Sequence, residues 1–160
     1  MHNKLWLRWI GANALGELAG LGGTLGLGGY LIFNLGLPAG VGGVLAAFAI
    51  AVASGVIEAT VVGLLQWRVL RTAFPQITFR AWWLGTLGGA LTAYVLGYLP
   101  STLFDLAAQD TAAAAAPVAE PPQWIVLLLA AGLGLVGGAV LSFAQWLALR
   151  GKVKGAGIWI

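Results

Sequence analysis

The chain has 160 residues, 60% of them hydrophobic and 8% charged, with a mean hydropathy of +0.93 and a net charge of +3. A soluble domain carries about 25% charged residues, so this chain has too little polar surface for a water-soluble fold and reads as a membrane protein. Cysteine is absent and the single histidine is His2. That excludes disulfides and thiolate nucleophiles and leaves no His- or Cys-based set for metal, haem or chlorophyll. No metal and no cofactor is expected.

Four apolar segments are long enough to cross a bilayer, which takes about 20 residues. The first covers 5–33. Its basic start resembles a signal peptide, but Asn13 and Glu17 interrupt it, and it reads as an uncleaved first span. The second covers 39–71, with Pro38 suited to its first turn. The third covers 81–99 and stops at Pro100. The fourth covers 123–150, after Pro121-Pro122. Between them, 100–122 reads as an outer loop. Leu103, Phe104, Leu106 and Ala107 form an amphipathic turn in it, and an Ala/Pro-rich tether follows. The fold class is all-α: a four-span helix bundle of two in-out-in hairpins. Alternation at a spacing of two, which a β-barrel needs, is missing.

All eight Lys and Arg fall on one side of this plan: Lys4 and Arg8, then Arg68, Arg71 and Arg80, then Arg150, Lys152 and Lys154. Asp105, Asp110 and Glu120 lie on the other side. The positive-inside rule makes both termini cytoplasmic. Trp6, Trp9, Trp67, Trp82, Trp83, Trp146 and Trp159 mark the inner boundary, and Tyr30, Tyr94, Tyr98 and Trp124 the outer one. The basic excess is a topology signal and a contact for anionic lipid, not a nucleic-acid surface.

Every span carries small residues at each fourth position. The first has Ala12, Gly16, Gly20, Thr24 and Gly28; the second has Gly43, Ala47, Ala51, Gly55, Ala59 and Gly63. The third has Gly85, Gly89, Ala93 and Gly97, and the fourth Ala130, Gly134, Gly138 and Ser142. Such a stripe lies on one helix face and lets backbones approach where lipid offers no hydrophobic drive. Close packing is expected at Gly16, Gly20, Gly55, Gly63, Gly85, Gly89, Gly134 and Gly138, against this chain or a partner.

Counting in from the basic side at ~1.5 Å per residue puts Glu17 and Glu58 roughly 13 to 15 Å deep, near mid-bilayer. Thr92 and Ser142 fall at similar depth. Asn13 and Ser54 each stand four residues before an acid, on the same helix face. With no Lys or Arg at that depth, two ionised carboxylates are too costly. Three readings stay open: neutral acids as hydrogen-bonding glue between helices, a shared proton or cation site, or contacts to a partner subunit or cofactor. Gln66 and Gln145 lie just inside the interface and suit hydrogen bonds between helices or to headgroups. Nothing resembles a nucleophile–base pair, so no catalytic residues are expected.

Q-W-x-x-L-R closes the second and the fourth span, at Gln66-Arg71 and Gln145-Arg150. Together with Trp9, Asn13, Gly16, Glu17, Glu58 and Ala81-Trp82-Trp83, this motif resembles a loose family of uncharacterised bacterial polytopic membrane proteins, frequent in cyanobacteria and other phototrophs. The chain departs from the family at Gly137, where the fourth span would repeat Glu58, and in its long outer loop. It also stops at Trp159-Ile160, where relatives continue into another span. The resemblance implies a bacterial inner (plasma) or thylakoid membrane and carries no activity. The expected function is non-enzymatic: an accessory subunit packing against other membrane helices, by self-association or in a larger complex, with lipid or pigment contacts at the Trp-rich face. The alternative is a small proton or cation conductor or transporter using the mid-membrane acids.

Overall fold

The computed structural model describes residues 2–110 and 121–159. Among them the chain is all-α: α1 (His2–Asn34), α2 (Val41–Ala73), α3 (Phe79–Asp110), α4 (Gln123–Leu149) and a C-terminal 3-10 turn, Ala156–Trp159. Three helices, α2, α3 and α4, are long and apolar enough to cross a membrane. The sequence reading counted four. The first helix, 33 residues long, has the length, but Asn13, Glu17 and its many glycines dilute its hydropathy.

Two boundaries differ from expectation. Pro38 lies before α2 rather than in its first turn, and the helix opens after Gly40, whose φ of 83° favours glycine. The third helix does not stop at Pro100 but runs through it to Asp110. The hydroxyls of Ser101 and Thr102 both donate to the carbonyl of Tyr98, at 3.0 and 2.8 Å. Leu103, Phe104, Leu106 and Ala107 therefore belong to the last turns of α3 and form no separate surface turn. The tether at 111–120 lies outside the described residues.

Each helix packs against the next in sequence, and α1 and α4 do not pack against each other among the described residues. The stripes explain the first three contacts. All five stripe residues of α1 are buried. A Cβ on Gly20 would stand 2.8 Å from Cα of Glu58, and one on Gly16 3.1 Å from Cα of Val62. Between α3 and α4, a Cβ on Gly89 would meet Cα of Leu141 at 2.8 Å, and one on Gly85 the carbonyl of Ala144 at 2.8 Å. Gly55 faces the Tyr94 ring at 3.0 Å, and Gly63 faces Thr86 at 3.5 Å. Gly134 and Gly138 differ: among the described residues nothing lies within 4 Å of a Cβ on either. Their helix buries only Gln145, Ala148 and Leu149, at its C-terminal end.

The apolar core sits at the basic end. Leu70, Ile77, Trp82, Ala148 and Leu149 form it, with Trp9, Trp67, Phe74 and Trp159 packed around them. Trp82, expected at the lipid boundary, is completely buried. Its ring meets those of Trp9 and Trp159 edge-on at 6.3 and 5.6 Å. Gly151 and Gly155, with φ of 75° and 74°, reverse the chain after α4 and bring Trp159 back beneath the bundle.

Candidate functional site

Two polar constellations stand inside this frame. The first lies just above the aromatic core and joins all four helices. Asn13 Nδ2 donates to the carbonyl of Trp9 at 2.8 Å, and Gln66 Nε2 donates to Asn13 Oδ1 at 2.8 Å. Gln145 Nε2 donates to Gln66 Oε1 at 2.9 Å and to Thr86 Oγ1 at 3.1 Å. Trp159 Nε1 closes the set by donating to Gln145 Oε1 at 3.2 Å. Gln66, Thr86 and Gln145 are buried, so these bonds satisfy groups that have no access to water. Gln66 and Gln145 were read as bonding between helices or to headgroups, and the geometry selects the first. Asn13 was read as a neighbour of Glu17 and instead bonds across to Gln66. Thr86 and Trp159 were not anticipated as members.

The two glutamines are copies in the repeated motif, and the copies behave alike. Gln66 bonds the polar residue of its own hairpin, Asn13, as Gln145 bonds Thr86. Arg71 lies over the Trp67 ring at 4.9 Å, as Arg150 lies over Trp146 at 5.6 Å. Gly16 on Val62 matches Gly89 on Leu141, and Gly20 on Glu58 matches the contact between Ala93 and Gly137 at 3.4 Å. Gly137 therefore stands where the second repeat would carry an acid, as its place in the sequence implied.

The second constellation is the acid pair. Glu17 on α1 and Glu58 on α2 line the same cleft, near enough for their charges to interact. The phenol of Tyr94 on α3 donates to Glu58 Oε2, while its ring rests on Gly55. Thr24, nearly fully buried, donates to the carbonyl of Ser54 at 3.0 Å. Tyr94 was assigned to the outer aromatic belt. A helix's Cα–Cβ bonds tilt toward its N-terminus, here the basic end, and that swings the ring back to the depth of the acids.

The remaining polar candidates do not join the acids. Ser54 donates to the carbonyl of Ala51 on its own helix at 2.8 Å. Thr92 is exposed and donates to the carbonyl of Gly88 at 2.8 Å. Ser142 is half-buried on α4 and is not part of the acid site's lining.

Both acids face a cleft of about 630 Å³ between α1 and α4. Leu21 lines it from α1, Tyr94 and Tyr98 from α3, and Gly134, Gly137 and Gly138 from α4. Among the described residues no Lys or Arg lines it. At its basic end it is backed by the glutamine network and the tryptophan core. Among the described residues, no group of three or more His, Asp or Glu could hold a metal ion.

No protein-family model, no curated protein and no solved structure matches the chain.

Proposed function

We propose that this is an integral membrane protein that handles a proton or cation at the Glu17–Glu58 pair, as a small transporter or conductor. The observation that supports it is the meeting of two acids from different helices on the wall of one cleft, with Tyr94 donating to one of them. Two neighbouring carboxylates in apolar surroundings cannot both stay ionised. The pair therefore holds a proton between them and exchanges it for a cation that takes its place.

In this reading α1 is a fourth span whose polar residues face the bundle, so its low hydropathy reflects function. The plan is two in-out-in hairpins, related as parallel repeats about an axis along the membrane normal, with both termini on the basic, cytoplasmic side. The resemblance to bacterial membrane proteins extends the proposal to a bacterial inner or thylakoid membrane.

Proton flux in proteoliposomes tests the function. Glu58→Gln keeps size and hydrogen-bonding capacity and removes the ionisable group. The reading expects flux from the wild-type chain and its loss in the variant; absent flux, or flux that the variant leaves unchanged, refutes it.

One observation favours a second reading, an accessory subunit of a larger membrane complex. Among the described residues nothing lies within 4 Å of a Cβ on Gly134 or Gly138 of α4, and small-residue faces are where membrane helices associate. Native electrophoresis with mass spectrometry after gentle solubilisation decides it: a monomer in every condition contradicts it, and a stable higher-mass species supports it.

A further inference from the structure

The internal repeat supplies a template for the cleft. The α2/α3 seam and the α4/α1 seam are counterparts, because α2 corresponds to α4 and α3 to α1. The first seam is filled: the Tyr94 ring lies on Gly55 and its hydroxyl donates to Glu58. In the second seam Gly134 stands in the place of Gly55, and the residue corresponding to Tyr94 is Leu21. Both line the cleft, and nothing lies within 4 Å of a Cβ on Gly134. The same backbone platform is thus present without the ring that occupies it on the other side, while the acids remain at its edge.

The cleft has the size of a ligand site, about 630 Å³ against roughly 300–1,000 Å³ for typical pockets. Its wall combines the two tyrosine rings with the acid pair, and among the described residues no base lining it competes for those acids. Carboxylates that lack a basic partner complement a cation, and the faces of Tyr94 and Tyr98 favour one as well. The platform, by the example of Tyr94, favours a flat ring that carries its hydrogen-bond donor at one end.

We propose that this cleft binds a membrane-soluble aromatic amine in its protonated form, ring on the α4 glycine face and ammonium on the Glu17–Glu58 pair. The proposal rests on the acid pair being the working centre, and it names the cation that the pair exchanges for its proton. The N–H bonds of the ammonium take the place of the proton shared by the two acids, and that proton leaves to water.

The full chain in lipid nanodiscs tests it, with labelled 2-phenylethylamine in equilibrium dialysis and empty nanodiscs as the baseline. The expected result is saturable binding that weakens about tenfold or more in Glu17→Gln, which loses a charged hydrogen bond. Gly138→Leu, whose side chain enters open space and so spares the fold, is expected to weaken it equally. A ring-saturated analogue, 2-cyclohexylethylamine, is expected to bind more weakly. No binding above the empty discs, or equal affinity in Gly138→Leu, overturns the proposal. The two claims separate cleanly: proton flux that needs Glu58 without saturable amine binding refutes the ligand and leaves the acid pair's role standing.

Discussion

Gln145 Nε2 donates to Gln66 Oε1 at 2.9 Å, so the two glutamines of the repeated Q-W-x-x-L-R motif bond directly to each other. One interaction between copies joins the hairpins, while Asn13 and Thr86 anchor each glutamine within its own. The first prediction follows from this geometry. Gln145→Leu leaves Trp159 Nε1 without its acceptor and Gln66 without its donor. It should destabilise the chain by about 1–3 kcal/mol, read as a lower midpoint of denaturant unfolding in micelles. In a double-mutant cycle with Gln66→Leu the effects should fall short of additive, because both substitutions remove the same bond.

The glycine contacts divide the helices sharply. Gly20→Ala places a methyl 2.8 Å from Cα of Glu58 and should cost about 1–3 kcal/mol by overpacking. Gly134→Ala meets nothing within 4 Å and should be neutral or mildly stabilising, by roughly 0.5–1 kcal/mol, from helix propensity. Thermal melts of the two variants beside the wild type check the pair; a similar loss in both would mean that α4 is packed after all.

Tyr94→Phe keeps the ring on Gly55 and removes the donor to Glu58. The fold should hold. The carboxyl C=O stretch of a protonated acid should move to higher frequency in the infrared difference spectrum, because its hydrogen bonding weakens. An unchanged carboxyl band would show that the phenol does not bond the acid pair.

Trp159 stands between Trp9 and Trp82 at ring distances of 5.2 and 5.6 Å. Trp159→Ala removes a large packed side chain together with the donor to Gln145. A loss of about 3–5 kcal/mol is expected if the site cannot collapse, seen in the same unfolding measurement. Trp159→Phe should recover most of it, because the edge contacts survive and only the bond to Gln145 is lost.

Much of this was legible in the residues, for identifiable reasons. The spacing of four in α1 marked its buried face completely, because in that hairpin a partner helix follows at once. The same spacing in α4 marks Gly134 and Gly138, where no close neighbour stands among the described residues. A run of small residues says that a neighbour can come close, not that one is there, and the second seam is open. Glu17 and Glu58 were found by counting depth from the basic boundary. Asn13 was misassigned because helix spacing offered Glu17 as a neighbour, while the stronger partner, Gln66, came from another helix. Tyr94 and Thr86 were missed for a related cause: each acts across a seam whose register no local pattern encodes. Pro100 was read as a stop because proline removes a backbone donor, but the helix runs through it to Asp110.

The central claim is that the Glu17–Glu58 pair carries an exchangeable proton at the cleft. The most direct measurement is the initial rate of proton flux into proteoliposomes under an imposed membrane potential, comparing wild type, Glu58→Gln and Gly132→Ala. Flux is expected in the wild type, its loss in Glu58→Gln, and wild-type rates in Gly132→Ala, which lies outside the cleft lining and whose added methyl meets nothing within 4 Å. Equal flux in wild type and Glu58→Gln, or none in either, would contradict it.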